Sequence, residues 1–135
     1  MPFTLGDVTL FVATDGGLVI YDVADPGSPG RLGSTTESCR RVAVDGTRAY
    51  VALAPDGLAV VDATDPTRPV TARTEPFDAV ADIAAGSGRA FVAVAARGVT
   101  MVSGAPQAAG DRSTVLATAA PALDVATAGA LAYVA

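Results

Sequence analysis

The sequence predicts an all-β chain, a β-propeller segment with three four-stranded antiparallel blades and the first two strands of a fourth. Three observations carry this. Phe11-Val12-Ala13, Tyr50-Val51-Ala52, Phe91-Val92-Ala93 and Tyr133-Val134-Ala135 repeat one phrase at spacings of 39, 41 and 42 residues. An aromatic-Val-Ala strand returning at about 40 residues signals an array of small sheets. The apolar runs are short and rich in β-branched residues, with no 3.6-residue period. Fourteen glycines and nine prolines are spread along the chain, as a fold of many turns requires.

The elements follow the repeat. Residues 3–13 and 125–135 align over eleven positions without a gap, as do 42–52 and 83–93. Repeat units are expected over residues 3–38, 39–78 and 79–121, with an incomplete unit at 122–135. Because the chain starts and stops at the same point of the repeat, a truncated reading frame of a larger propeller is expected, rather than a half-ring that dimerises. The second unit shows the pattern best. Residues 48–53 (RAYVAL) form a strand, Ala54-Pro55-Asp56-Gly57 a turn, and residues 58–62 (LAVVD) the next strand. After the break at residues 64–69, residues 70–74 read as a more polar strand, and 79–84 begin the next unit. The same places are taken by 10–13, 17–22, 31–35 and 40–44, and again by 90–95, 99–103, 115–118 and 123–126. Such a meander is apolar on both faces: Val19 and Tyr21 point one way, Leu18 and Ile20 the other. Both faces therefore expect cover from neighbouring blades, since burying one such side chain is worth about 1.5–3 kcal/mol.

Composition excludes several functions. Half of the 135 residues are hydrophobic and 17% are charged, so a packed core is expected. The net charge of −5 argues against nucleic-acid or anionic-membrane partners. All nine basic residues are arginines, read as a compositional habit. Cys39 is the only cysteine, so no intrachain disulfide forms, and the thiol is expected as buried filler. The chain has no histidine, which excludes Cys–His and Ser–His–Asp machinery. The start, MPFTLGDVTL, lacks the features of a secretory signal, and the longest apolar run, residues 90–96, is far shorter than the roughly 20 residues of a membrane span. No membrane insertion by this segment is expected.

Gly17-Leu18-Val19-Ile20-Tyr21-Asp22-Val23-Ala24-Asp25-Pro26 and Gly57-Leu58-Ala59-Val60-Val61-Asp62-Ala63-Thr64-Asp65-Pro66 resemble the LVIVD repeat. A second proline, Pro29 or Pro69, completes the family's D-P-x-x-P pattern. The third copy is degenerate, with Ser103 and Ala105 where Asp would stand and only Pro106 kept. The resemblance spans essentially the whole chain and implies a β-propeller, in a family often found in bacterial exported or surface proteins. It implies no defined activity.

Asp22, Asp25, Asp62 and Asp65, with Pro26 and Pro66, are read as structural turn residues, their carboxylates accepting local backbone N–H groups. Calcium binding is the alternative. Gly16-Gly17, Gly57 and Gly98 are hairpin glycines; no lysine follows and no helix opens, so no phosphate loop is present. Arg41, Asp82 and Asp124 each precede an apolar residue in the first, innermost strand of a unit and are the candidate channel-lining residues. An inter-blade Arg41–Asp82 ion pair is the favoured reading, with a polar-ligand or cation site, neighboured by Arg40 and Cys39, as the alternative. No catalytic, cofactor or metal residue is assigned, and paired carboxylates for glycoside hydrolysis cannot be identified.

The expected function is a non-enzymatic propeller module that serves as an interaction or scaffold surface, with a protein partner or further blades of the same propeller. The alternative is half of a propeller enzyme or small-ligand binder with its site in the central channel.

Overall fold

The computed structural model describes residues 3–5, 9–77, 80–94, 98–103, 112–116, 122–128 and 131–135. Within them the chain is all-β. The first sheet runs β1 (Phe3–Leu5), β2 (Thr9–Thr14), β3 (Gly17–Asp22), β4 (Gly30–Ser34) in chain order. The second holds β5 (Cys39–Asp45), β6 (Arg48–Leu53), β7 (Leu58–Asp62) and β8 (Val70–Glu75), and the third β9 (Val80–Gly86), β10 (Arg89–Val94), β11 (Gly98–Ser103) and β12 (Arg112–Leu116). A two-stranded sheet, β13 (Val125–Ala128) and β14 (Leu131–Val134), follows. Every pairing is antiparallel between sequence neighbours. These are three four-stranded propeller-like blades and two strands of a fourth, and the aromatic-Val-Ala phrases lie on the second strand of each, apart from Ala135, which falls just past β14. Among the described residues no helix is long and apolar enough to cross a membrane.

Strand alternation builds the core in layers. Side chains on a strand alternate between its two faces, so Ala49 and Val51 of β6, with Ala59 and Val61 of β7, pack against Phe11, Leu18 and Ile20 of the first sheet. Tyr50 and Ala52, with Leu58 and Val60, face the other way and pack against Val80, Ile83, Ala90 and Val92 of the third. A smaller layer joins Ala93 and Val99 to Ala122 and Val125. The second sheet is thus covered on both faces. The first differs from expectation: Leu18 and Ile20 are buried, while Val19 and Tyr21 are only half-buried, because the second sheet covers the Leu18 face alone.

Strand limits shift for identifiable reasons. The ladder of β5 continues to Asp45, which pairs with Arg48 across a two-residue turn. Thr35 falls outside β4, since its N–H donates to the Leu18 carbonyl at 2.9 Å and its hydroxyl accepts the Leu18 N–H at 3.1 Å. That contact explains Gly17, whose φ is +128° and whose Cβ, if present, would lie 2.0 Å from the Thr35 carbonyl oxygen. Leu123 and Asp124 precede β13 rather than belonging to it, and their N–H groups donate to the Ala135 oxygen. The expected continuations at residues 95 and 117–118 and the turn with Ala105 and Pro106 lie outside the described residues.

Candidate functional site at the inner strands

The first strands of successive sheets are neighbours: β5 lies beside β9, and β9 beside β13. Arg41 is third in β5 and Asp82 third in β9, while Asp124 stands immediately before β13. All three come together. Arg41 Nη1 approaches Asp82 Oδ1 at 3.8 Å, with the arginine side chain 41% exposed and the carboxylate 13%. At that distance and exposure the pair contributes little by itself. The stronger contact is on the other oxygen, where Asp82 Oδ2 accepts the Val125 N–H at 3.1 Å in a buried setting. Asp124, which is exposed, lines one cleft with Arg41 and Asp82.

Backbone irregularities aim these side chains. Cys39 pairs with Leu53 and Arg41 with Ala52, so Arg40 is an extra residue in β5. Val80 pairs with Val94 and Asp82 with Ala93, so Ala81 is the equivalent extra residue in β9. A bulge at the same place in successive repeats turns each following residue to a new direction. It also frees Arg40, whose Nη2 donates to the Pro55 carbonyl at 2.8 Å. Cys39 is buried and its Sγ donates to the Thr14 carbonyl at 3.6 Å, which places it in the layer between the first two sheets and away from the carboxyl pair.

The inner strands border a cleft of about 710 Å³ lined by Arg41, Val44, Asp82, Ala84, Asp124 and Thr127. Its charged groups mostly engage one another. Burial pushes the Asp82 carboxyl up, but hydrogen bonds from the Asp124 carboxyl and from the Val125 and Ile83 N–H groups outweigh it, and Asp82 ends below the ordinary value. The hydrogen bond to Asp82, then its negative charge, pushes Asp124 up.

The aspartates of the turns lie elsewhere, at the β3–β4 and β7–β8 connections. Asp22 Oδ1 accepts the Ala24 N–H at 2.9 Å and Asp25 Oδ1 the Gly27 N–H at 3.1 Å. Asp62 Oδ1 accepts the Thr64 N–H at 2.9 Å and hydroxyl at 2.6 Å. Asp65 Oδ1 accepts both from Thr67 at 3.0 and 2.6 Å. Donation from the threonine hydroxyls, then the amides, holds Asp62 and Asp65 below the ordinary carboxylate value. Pro26 and Pro66 each follow the second aspartate of their turn, and each turn is closed by a further N–H···O=C bond, Ser28 to Asp25 and Arg68 to Asp65.

Two buried residues escaped the sequence reading. Arg73 and Glu75 of β8 form an ion pair of 3.3 Å, each side chain only 5% exposed. Their spacing of two puts them on one face, and in a strand covered by the next sheet that face is interior. The polar appearance of residues 70–74 concealed this.

The LVIVD repeat family model matches residues 10–37 and 38–74. No curated protein and no solved structure matches the chain. The two matched stretches run through β2–β4 and β5–β8, each with its Asp-Pro turn satisfied by the same local hydrogen bonds. Residues 10–37 and 38–74 are thus two repeats of the LVIVD type.

Proposed function

We propose that the chain is a non-enzymatic repeat module that acts as an interaction or scaffold surface for a protein partner, within an exported or surface-located protein. The observation that carries this is how the inner charged groups are used. Asp82 is engaged by Arg41 and the Val125 N–H, so its carboxylate fastens neighbouring sheets and is not held ready for a substrate. Outside, the Asp-Pro turns stand at the same place in successive blades with Ala24, Asp25, Thr64 and Thr67 exposed. A turn whose carboxylates already bind their own backbone is a rigid element that presents its exposed side chains without ordering on contact. Surface location rests on the family resemblance.

Photo-crosslinking side chains placed at Ala24 or Thr64, compared with one at Thr127 in the cleft, test this in cells. Discrete protein adducts from the two turns and none from Thr127 support an interaction surface. The cleft of about 710 Å³ favours a second reading, a small-ligand site. A compound that raises the melting temperature of the chain, but not of Arg41→Ala, would replace the first reading with the second.

A further inference from the structure

Three hairpin connections carry an aspartate followed by a glycine: Asp15-Gly16 between β2 and β3, Asp45-Gly46 between β5 and β6, and Asp56-Gly57 between β6 and β7. In such a pair the glycine nitrogen can attack the aspartate Cγ, since no Cβ on the glycine shields the approach. The pairs are chemically alike, but the fold holds them differently. At the first, the attacking nitrogen is tied. The Gly16 N–H donates to Thr14 Oγ1 at 3.2 Å, and that hydroxyl is itself fixed by donating to the Gly17 carbonyl at 2.7 Å. At the second, the carboxyl is tied, because Asp45 Oδ2 accepts the Gly88 N–H of the next sheet at 2.6 Å. That bond favours the carboxylate, a poor electrophile, and holds it in place.

The third pair has neither restraint. The β6–β7 connection, residues 54–57, is longer than the β2–β3 connection, and a proline rather than a threonine precedes its aspartate. Its hydrogen bonds fall around the pair. The Leu53 N–H donates to the Gly57 carbonyl and the Ala54 N–H to the Ser38 carbonyl, both at 3.0 Å, and Arg40 Nη2 donates to the Pro55 carbonyl at 2.8 Å. Among the described residues no hydrogen bond engages the Asp56 carboxyl or the Gly57 N–H. Asp56 is also exposed.

We propose that Asp56 is a site of spontaneous covalent modification, isomerising to isoaspartate through a cyclic imide with Gly57. The Gly57 nitrogen forms a bond to Asp56 Cγ, and the carboxyl OH leaves as water with the amide proton. Water then opens the ring at either carbonyl. Attack at Cγ restores aspartate, whereas attack at the main-chain carbon leaves Gly57 joined through Cβ and Cγ. The composition of the chain is unchanged, but its backbone gains a methylene just before Gly57. Gly57 is buried, has a φ of +111° and directly precedes Leu58 of β7. Leu58 pairs with Ala52 and with Glu75 and is fully buried in the layer toward the third sheet. Added length at this point strains both pairings, so the modification loosens the second repeat from its β6–β7 end. The site is separate from the Asp-Pro turns, which lie at the β3–β4 and β7–β8 connections.

The test is incubation of the whole chain at neutral pH in water enriched in heavy oxygen, since each ring opening installs that oxygen at the aspartate concerned. Digestion with a protease that cuts before aspartate but not before isoaspartate, read by mass spectrometry, gives label and isomer at each pair. A tying hydrogen bond holds its group back by about two- to tenfold, so label and isoaspartate should accumulate at Asp56 at least about threefold faster than at Asp15 and Asp45. In the urea-unfolded chain the margin should vanish. Asp56→Asn closes the same ring with loss of ammonia, and in the native chain it should deamidate within about tenfold of its rate in urea. A smaller margin in the native chain, a margin that persists in urea, or slower native deamidation of Asp56→Asn overturns the site.

Discussion

Gly33 of the first sheet lies against Pro66 of the second. A Cβ on Gly33 would sit 2.5 Å from the Pro66 carbonyl oxygen, 2.8 Å from Pro69 Cδ and 3.0 Å from the Thr67 carbonyl carbon. The Asp-Pro turn of one repeat thus seats on the outermost strand of the repeat before it. Its Asp62 and Asp65 hydrogen bonds keep it in the shape that fits this seat, which links a local motif to contact between sheets.

Gly33→Ala should therefore destabilise the chain by about 1–3 kcal/mol, the usual range for overpacking against atoms that cannot move alone. Gly30→Ala is the control, because nothing lies within 4 Å of its Cβ position. The denaturant midpoint should drop for Gly33→Ala and stay close to wild type for Gly30→Ala, with unchanged slopes. Equal midpoints for the two variants would remove the turn from the packing of the sheets.

The buried Arg73–Glu75 pair predicts a non-additive result. Both side chains project from the face of β8 that shares rows with Leu58 and Val60, toward the third sheet. Glu75→Leu alone leaves the Arg73 charge in a dry layer without its closest carboxylate, a loss of about 3–5 kcal/mol. Arg73→Met combined with Glu75→Leu should recover most of that loss, since replacing a whole buried pair by apolar side chains is often neutral. A double-mutant cycle by urea denaturation measures the coupling. Additive losses would mean that the two residues act separately.

Much of this fold was legible because it depends on periodicities that survive in a single chain. The Phe11, Tyr50, Phe91 and Tyr133 strands set the blade repeat, and β3, β6 and β7 have the limits that the Gly-bounded apolar runs imply. Arg41, Asp82 and Asp124 could be grouped because they stand at one phase of that repeat. Other features depend on pairing across strands, which composition does not encode. The bulges at Arg40 and Ala81 exist only relative to Leu53–Ala52 and Val94–Ala93. The Val125 N–H bond to Asp82 needs the separation of two residues from different sheets. Residues 70–74 read only as a more polar strand, and the interior place of Arg73 and Glu75 follows from the position of β8 under the next sheet.

Tyr50 is fully buried, and among the described residues its hydroxyl has no hydrogen-bond partner. A buried hydroxyl without a partner carries its desolvation cost uncompensated. Tyr50→Phe should therefore leave stability unchanged or raise it by up to about 1 kcal/mol at neutral pH. Burial, then the Asp45 charge, pushes the Tyr50 phenol up. The neutral phenol's contribution is complete below the unfolded value of about 10 and is lost as pH rises through the folded one, so Tyr50→Phe should also soften the alkaline limb of the stability profile. A clear loss of stability at neutral pH would show that the hydroxyl is satisfied, by a bound water or otherwise.

Cys39 supplies a chemical probe of the layer between the first two sheets. It is 2% exposed, packs in the layer with Phe11 and Val42, and burial pushes its thiol up. The thiolate is the reactive form, and both its scarcity and its inaccessibility oppose alkylation. Iodoacetamide at mildly alkaline pH should modify the native chain at least about tenfold more slowly than the urea-unfolded chain. Gly33→Ala, which disturbs the same pair of sheets, should raise the native rate in proportion to its loss of stability, because modification then proceeds through opening. Native labelling as fast as in urea would place Cys39 at the surface and would contradict the packing of β5 against the first sheet.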